Sequence, residues 1–418
     1  VTKVLLLGNG AREHAIAAAL VKSGVELYAH MEQKNPGISK IAKAVSIGSI
    51  TDTRKIPDLY GYDYVFIGPE APLASGMSNF ILLQGIPCIG PMQTAAMIET
   101  SKSFARIVID QTTPDANPKF AVARSLDDLR KFENRIGVEN TVVKPNGLTG
   151  GKGVRIFGEH LSSREELEKY AIGLMTKEGV VVLEEKLSGI EFTLQAFSDG
   201  KRLEFMPLVR DYKRAYDGDK GPNTGSMGSY SENSHSLSFI STEDVDNAKS
   251  IMSSTLTGIR KKAGREYKGI LYGQFMKTAD GIKVIEYNAR FGDPEAMNIL
   301  SILSDSMDDI CQSIIDENLK HVKFENLATV CVYLVPEGYP GTDVVRDSPI
   351  TIDSGGSSQV YFASVYEKEN QILTTGSRAV AVLAKAKTVE EARQIAYEDI
   401  KRIRGKVRYR SDIAQGIG

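Results

Sequence analysis

The stretch VVKPNGLTGGKGV, residues 142–154, places four glycines and two lysines within thirteen residues. Glycines let a backbone approach a ligand closely and move when it leaves, and lysines supply charge for an anion. Composition alone does not choose between a phosphate cradle and a flexible turn. The Walker pattern G-x-x-x-x-G-K-[ST] is excluded, because Gly151-Lys152 would need glycine at Asn146 and Ser or Thr at Gly153. The flanks narrow the reading. TVVK (141–144) precedes the loop and GVRIF (153–157) follows it, and both read as strands. The loop therefore joins two strands, with no helix N-terminus behind it to hold a phosphate. Lys144 and Lys152 stand on either side of the turn.

Outward from this loop, VVVLEE (180–185) reads as a further strand and 164–175 as a helix. FTLQAF and RLEFMP flank Ser198-Asp199-Gly200, a hairpin signal of the Asp-Gly type. A polar loop spans 210–230 and contains GPNTGSMG, followed by a helix over 242–263. The first hundred residues alternate strand and helix: strands at 3–7 and 64–67, helices at 13–21 and 73–83, then the short strand IPCIG. That alternation predicts a doubly wound parallel sheet. LLLGNGAREHA supplies a G-x-G after the first strand, but Glu13 holds the third glycine position and the next strand ends without an acid for a ribose. A dinucleotide site and a plain tight β–α turn both remain open there. From about 328 the chain is short strands plus one helix over 388–403. The expected fold class is α/β and α+β multidomain, in three units: 1–100 α/β, 101–325 hairpins and helices, and 326–418 a small α+β unit.

The hairpin ending in IKVIEYNARFGDPE carries a second constellation. Glu286 and Asn288 lie two apart on a strand, so both point to one face. A three-residue loop at 279–281 would pair Lys277 with Lys283 and Gln274 with Glu286, bringing Gln274, Glu286 and Asn288 to one face. Three hard oxygen donors suit Mg²⁺, which completes its shell with phosphate and water; a polar strand end in a hydrogen-bond network is the plainer reading. A one-residue slip would remove Gln274 but preserve the Glu286–Asn288 relation. Arg290 follows directly, and its guanidinium fork suits a carboxylate or phosphate.

The remaining composition bounds the function. Lys and Arg number 51 against 53 Asp and Glu, a net charge of −2, which disfavours a globally basic nucleic-acid binder. The one basic run, KRIRGKVRYR (401–410), is read as a solvated helix end and edge strand. Cys88, Cys311 and Cys331 are widely spaced in apolar runs, as buried reduced thiols would be. VTKVLLLG is too short for a signal segment and no apolar run is long enough to span a bilayer, so a cytoplasmic setting without a membrane is expected. No triad-like arrangement stands out, and His14 is read as structural.

GNGAREHA, GPEAPL, KPNGLTGGKG, GPNTGSMGSY, IEYNARFGDPE and the terminal YRSDI occur in that order and cover the chain nearly end to end. On these motifs the sequence resembles the glycinamide ribonucleotide synthetase family, ATP-grasp ligases of purine biosynthesis. GPNTG.MG and N.RFGDPE are its specific signatures; the glycine loop is shared by many ATP-grasp enzymes. The resemblance implies an N-terminal pre-ATP-grasp unit, a central ATP-grasp fold with a lid at about 119–187, and a C-terminal α+β domain. It implies ATP-dependent joining of glycine to 5-phosphoribosylamine through glycyl phosphate, with ATP and Mg²⁺ (or Mn²⁺) as cofactors. The partners would be these small molecules, acting on a monomer or weak homodimer.

Carried over by position, the resemblance gives Lys102 and Lys144 to the nucleotide phosphates, with Gly150, Gly151, Lys152 and Gly153 closing over them. Glu184, Glu185 and Leu187 would line the adenine hinge and Glu191 would hold the ribose. Glu286, Asn288 and Gln274 would be metal ligands. Asn9, Gly10, Arg12 and Glu13, with Asp211, Lys213, Asn223, Thr224, Gly225, Arg290 and Asp293, would surround glycine and phosphoribosylamine. Arg290, Lys144 and Lys152 are the expected catalytic groups. The chain departs from the family pattern at Pro145-Asn146, in place of a small–acidic pair; at Thr149-Gly150, in place of two alanines; and at Ser226, in place of a glycine. Another ATP-grasp carboxylate–amine ligase, a non-catalytic nucleotide-binding module and, from GNGARE, an NAD enzyme are the alternatives at this point.

Overall fold

The computed structural model describes all residues, Val1–Gly418. Five parallel strands open the chain, in the spatial order Ala44–Ile47, Glu26–Met31, Lys3–Leu7, Tyr64–Ile67, Cys88–Ile89. The order reverses between Lys3–Leu7 and Tyr64–Ile67, so the expected doubly wound sheet is present. Strand Tyr64–Ile67 is buried at every position, as a sheet covered on both faces requires. The helix read over 73–83 is instead two helices, Glu70–Ala74 and Met77–Leu83, because Gly76 adopts a left-handed φ of 83° that an α-helix cannot continue through.

The central region holds two facing sheets. The larger runs Leu203–Phe205, Ile190–Asp199, Lys268–Thr278, Gly281–Asn288 and is antiparallel throughout. The other orders Phe120–Ala123, Val181–Glu185, Thr141–Pro145, Arg155–Ile156 and carries helices Leu126–Ile136 and Arg164–Glu178. This second unit has its own nine-residue core, apart from the 94-residue core that runs through the rest of the molecule. Its packing is therefore independent of the main core. Helix Thr242–Ala263 has the bounds read from the sequence, set by a Ser241–Asp244 capping box and a left-handed Gly264.

The polar loop at 210–230 is more ordered than its composition implied. It contains a hairpin, Arg214–Tyr216 with Lys220–Asn223. Its outer strands, Arg210–Asp211 and Gly228–Ser231, join a sheet with Ala328–Pro336, Val380–Ala386 and Gln359–Phe362. A continuous sheet thus crosses residue 326, where a unit boundary was expected. The basic run is also not simply solvated. Arg410 is 1% exposed and donates to Asp412, Asp219 and the Arg214 carbonyl, while Arg408 donates to the Ala215 and Tyr339 carbonyls. These arginines brace the 214–223 hairpin. The three cysteines are free and buried, and no helix is long and apolar enough to cross a membrane.

Candidate active site

The two central sheets face each other across a cavity of about 850 Å³. Lys144, on strand Thr141–Pro145, enters from the smaller sheet. Its strand pairs Val142 with Glu184, so Lys144 and Glu184 are diagonal neighbours on one face. Lys144 Nζ lies 2.6 Å from Glu184 Oε2, and Arg106 Nε donates to Glu184 Oε1 at 2.6 Å. Burial opposes ionisation, yet Arg106 and Lys144 pull the Glu184 carboxyl down to about 2. Glu184 is thus spoken for by two cations and does not offer its side chain to a ligand. Glu185 accepts from the Lys119 amide at 2.8 Å, whereas the neighbouring Leu187 N–H has no intramolecular acceptor.

Lys102 opens helix Lys102–Thr112 and also lines the cavity, its Nζ donating to the Gly147 carbonyl at 3.1 Å. Burial, helped by Lys144 and opposed by Glu286, lowers its pKa. The departures near the glycine loop have structural consequences. Asn146 Oδ1 accepts from the Ser103 amide at 2.9 Å and its carbonyl accepts from the Lys102 amide at 3.0 Å, tying the loop's base to the Lys102 helix. Pro145 packs so closely on Gly153 that a Cβ there would fall 2.4 Å from its Cγ. Gly150 and Gly151 both have positive φ and line the cavity, and a Cβ at either would meet nothing within 4 Å. Lys152 and Gly153, expected to cover phosphates, do not line the cavity, and Lys152 is exposed.

Opposite the lysines, the hairpin Lys268–Thr278/Gly281–Asn288 corrects the expected register in two ways. The turn holds two residues rather than three, pairing Lys277 with Ile282. A β-bulge at Ile285 then restores the alignment, so Gln274 does pair with Glu286. Gln274 nonetheless does not line the cavity. Its Oε1 accepts from the hydroxyls of Thr193 (2.8 Å) and Tyr272 (2.6 Å), and its Nε2 donates to Glu191 Oε2 at 3.0 Å. It orients Glu191, which also meets Lys213 Nζ at 3.2 Å. Glu286 and Asn288 line the cavity together. Glu286 is exposed to the cavity space and forms no ion pair within 4.0 Å; against the desolvation of the cleft, Lys213, Lys144, Lys102 and Arg290 hold its carboxyl below the ordinary range. The Asn288 amide is best satisfied with its nitrogen donating to the Tyr287 carbonyl and Glu99 Oε1, both at 3.1 Å. Its oxygen then takes the place 3.5 Å from Glu286 Oε1, leaving two oxygens adjacent with no proton between them.

The far end of the cavity is built from three parts of the chain. Arg12 and Arg290 line it with Glu70 and Glu99. Arg290 contacts Glu99 at 2.8 Å and Glu70 at 3.3 Å, and Arg12 donates to Glu13 at 2.8 Å. Glu13 itself is buried away from the cavity. Its Cγ would lie 2.6 Å from a Cβ at Gly8 and 2.4 Å from one at Gly68. The glycines at the switch point of the sheet thus make room for Glu13, and the crevice where a dinucleotide pyrophosphate would rest is filled. Asn9 and Gly10 do not line the cavity either; Asn9 Oδ1 accepts from the Glu32 amide. His14 is likewise structural: Nδ1 accepts from the Phe362 amide at 3.0 Å, and burial lowers its pKa to about 4.

Asp211, Lys213, Asn223, Thr224, Gly225 and Asp293 complete the lining. Burial opposes the Lys213 charge, but Glu191, Asp211 and Glu286 outweigh it and raise its pKa. Burial also raises Asp211, and pushes Glu295 up to about 7 with Asp211 adding to the effect. Ser226 holds a φ of 103° with its own hydroxyl donating to the Gly228 carbonyl at 2.9 Å. Arg378, which motif reading missed, arrives from the C-terminal region and donates to the carbonyls of Gly225 (2.8 Å), Ser226 (3.0 Å) and Asp293 (3.3 Å). It stacks on Tyr333, whose hydroxyl donates to Asp293.

Family models match three stretches that together cover most of the chain. Residues 2–99 match the N domain, 100–296 the ATP-grasp (A) domain and 329–416 the C domain of phosphoribosylglycinamide synthetase. The chain is 45% identical over 420 residues to the phosphoribosylamine–glycine ligase of Pyrococcus furiosus, covering 98% of this chain and 94% of that one. Among solved structures, the phosphoribosylamine–glycine ligase of Thermotoga maritima superposes with a TM-score of 0.84 at 30% identity, covering 99% of this chain and 100% of that one. The biotin carboxylase domain of Hydrogenobacter thermophilus 2-oxoglutarate carboxylase, solved with MgADP, ADP and bicarbonate, shares the fold, with a TM-score of 0.73 at 15% identity, covering 97% of this chain and 91% of that one.

Proposed function

The chain belongs to the phosphoribosylglycinamide synthetase family, and from that membership we infer that it joins glycine to 5-phosphoribosylamine at the expense of ATP. The products are glycinamide ribonucleotide, ADP and phosphate, a step of purine biosynthesis. One observation supports the site assignment: two lysines and an exposed glycine backbone line the same cavity as an oxygen pair that shares no proton.

ATP lies between the sheets, with Lys102 and Lys144 on its phosphates and Gly150–Gly151 folding over them. Lys152 and Gly153 approach only when the loop closes. Adenine meets the backbone of the Glu184–Leu187 segment, with the Leu187 N–H as its donor, and Glu191, held by Gln274 and Lys213, takes the ribose. Glu286 and Asn288 fit a hard divalent ion, because two oxygens 3.5 Å apart without a shared proton repel unless a cation lies between them. Gln274 is not counted among the ligands, since two hydroxyls occupy its oxygen. Bound Mg²⁺ or Mn²⁺ supplies charge neutralisation for the transferring phosphoryl group.

Glycine's carboxylate oxygen attacks the γ-phosphorus, the bond to the β-phosphate oxygen breaks, and ADP leaves. The amine of phosphoribosylamine then attacks the carbonyl carbon of glycyl phosphate, and inorganic phosphate departs as the amide forms. Arg290 steadies the carboxylate and the developing oxyanion, and the closed loop keeps water from hydrolysing the acyl phosphate. The amine's proton passes to a carboxylate lining the cavity; Glu295, at about 7, is matched to that transfer near neutral pH. Asp211, Lys213, Asn223–Gly225, Arg12 and Asp293 surround the two small substrates. Glu13 acts from behind, by holding Arg12, while Asn9 and Gly10 shape the turn that leads into its helix. The buried free thiols suit a reducing, cytoplasmic setting, and the chain acts as a monomer or weak homodimer, which sedimentation measures.

The test is ADP release with glycine plus freshly generated phosphoribosylamine, run beside formate and bicarbonate. Turnover only with the glycine pair supports the reading; turnover with another acid, or none with glycine, refutes it.

A further inference from the structure

Arg106 belongs to none of the motifs that point to the site, yet it is the residue on which the two halves of the cavity meet. It projects from helix Lys102–Thr112 and is 3% exposed. All of its donor nitrogens are engaged. Nε donates to Glu184 Oε1 at 2.6 Å, Nη1 to the Val284 carbonyl at 2.8 Å and to Asn117 Oδ1 at 3.1 Å, and Nη2 to the Ile285 carbonyl at 2.5 Å. The first contact is with the sheet that carries Lys144; the carbonyl contacts are with the strand that carries Glu286 and Asn288.

Each contact controls a different functional group. Glu184 uses its other oxygen, Oε2, to hold Lys144 Nζ. Arg106 therefore fixes the rotamer and charge of the carboxylate that aims Lys144. Val284 and Ile285 are the residues at the β-bulge, on a strand at the edge of its sheet. Without the bulge, the two-residue turn would leave Gln274 opposite Ile285 rather than Glu286. Burying a guanidinium against two carbonyls of the bulge stabilises that arrangement over the regular ladder, which has no such partner.

We propose that Arg106 is a positioning residue for this reaction, holding the phosphate-binding Lys144 and the metal-binding pair Glu286–Asn288 in register with one another. The inference rests on the roles given above to those three residues. Arg106 lines the cavity, but with every donor nitrogen engaged by protein atoms it acts through Glu184 on one side and through the bulge on the other rather than by donating to ATP or metal.

Three variants, Arg106→Gln, Arg106→Lys and Arg106→Gln with Lys144→Met, test this by ADP binding in calorimetry, with EDTA and with graded Mg²⁺, alongside thermal melting. Wild-type binding of ADP serves as the control for the roles themselves: its absence refutes the proposed function and not the Arg106 inference in particular. Arg106→Gln is expected to weaken metal-free ADP binding about tenfold and to raise the Mg²⁺ needed for half-maximal enhancement by about tenfold or more, the usual range for groups that orient ligands. Arg106→Lys restores the charge on Glu184 and recovers metal-free ADP affinity to within about threefold, but leaves the Mg²⁺ requirement raised because a single ammonium does not span both carbonyls. In the Lys144→Met background the Arg106→Gln effect on metal-free binding shrinks to under about twofold, since the group being aimed is gone. A lowered melting point with unchanged ADP affinity and Mg²⁺ requirement in the folded protein overturns the proposal, as does full additivity with Lys144→Met. Failure of Arg106→Gln to fold leaves the decision with Arg106→Lys, whose split between the two readouts a purely structural role would not produce.

Discussion

Glu286→Gln separates a metal ligand from a structural carboxylate by the sign of its effect. Glu286 has no hydrogen bond shorter than 3.5 Å and no ion pair, unlike Glu184, Glu70 and Glu99 in the same cavity. The isosteric amide should therefore change unfolding free energy by only about 0.5 kcal/mol. Its effect on ligand binding should depend on whether metal is present. A unit charge about 2.1 Å from a divalent ion is worth about 4 kcal/mol even at the dielectric of water. Carboxylate desolvation returns part of that, leaving about 3 kcal/mol, or roughly 100-fold in apparent Mg²⁺ affinity. Without metal the same charge only repels phosphate. At about 6 Å, screened as in an open cavity, that repulsion is about 0.7 kcal/mol, so the variant should bind ADP roughly threefold more tightly in EDTA. Calorimetric ADP titrations in EDTA and in saturating Mg²⁺ measure both. A variant that keeps the wild-type Mg²⁺ enhancement, or that weakens ADP binding equally in both conditions, would refute the metal assignment.

Other consequences are equally direct. Lys152 is exposed between Gly151, at a φ of 76°, and Gly153, so trypsin should cut after it; ADP with Mg²⁺ should slow that cut about tenfold by ordering the loop, as timed electrophoresis would show. Gly68→Ala should lose about 2–3 kcal/mol of stability in denaturant melts, because the new Cβ falls 2.4 Å from Glu13 Cγ, and Glu13→Ala in the same chain should recover part of it. His14, buried at about pKa 4, accepts a hydrogen bond at Nδ1 that protonation would abolish. The unfolded chain binds the extra proton between pH 6.5 and 4, so stability should fall by about 3 kcal/mol as pH drops through that window. His14→Asn, which keeps an acceptor at that position, should flatten this acid limb.

Local patterns made the elements legible, and distant partners made several site residues illegible. The i, i+2 relation of Glu286 and Asn288 follows from strand geometry alone and survived an error in the turn. Gln274 shows the opposite case: its pairing with Glu286 came out as expected only because the shorter turn and the bulge cancel, and its oxygen was claimed by Thr193 and Tyr272, which no spacing announces. Arg106 reaches partners 78 and 178 residues away. The one available signal was an arginine set among Phe104, Ala105, Val108 and Ile109 on the buried side of its helix, where an unpaired charge would be too costly to persist. Arg378 gave no comparable sign, because the carbonyls, the Tyr333 ring and the Asp293 carboxylate it meets all lie more than forty residues away in the chain.

The same contacts say which part of the smaller central unit moves. That unit has a separate core, which by itself would permit the whole body to swing. Yet its inner edge is fastened to the main body by a buried ion pair at Glu184, by Asn146 on the Lys102 helix, and by Lys102 on the Gly147 carbonyl. Breaking a buried pair of this kind costs about 3–5 kcal/mol, too much for each catalytic cycle to repeat without compensation. Farther out, Arg214 meets Glu159 at 2.9 Å with both side chains about one-third exposed, a contact worth under about 1 kcal/mol. Beyond the fastened base, Gly150 and Gly151 are exposed, and a Cβ at either would meet nothing within 4 Å. The energetic gradient runs from a base held at Glu184, Asn146 and Gly147 to an exposed glycine tip, the part of the cradle that folds at least cost.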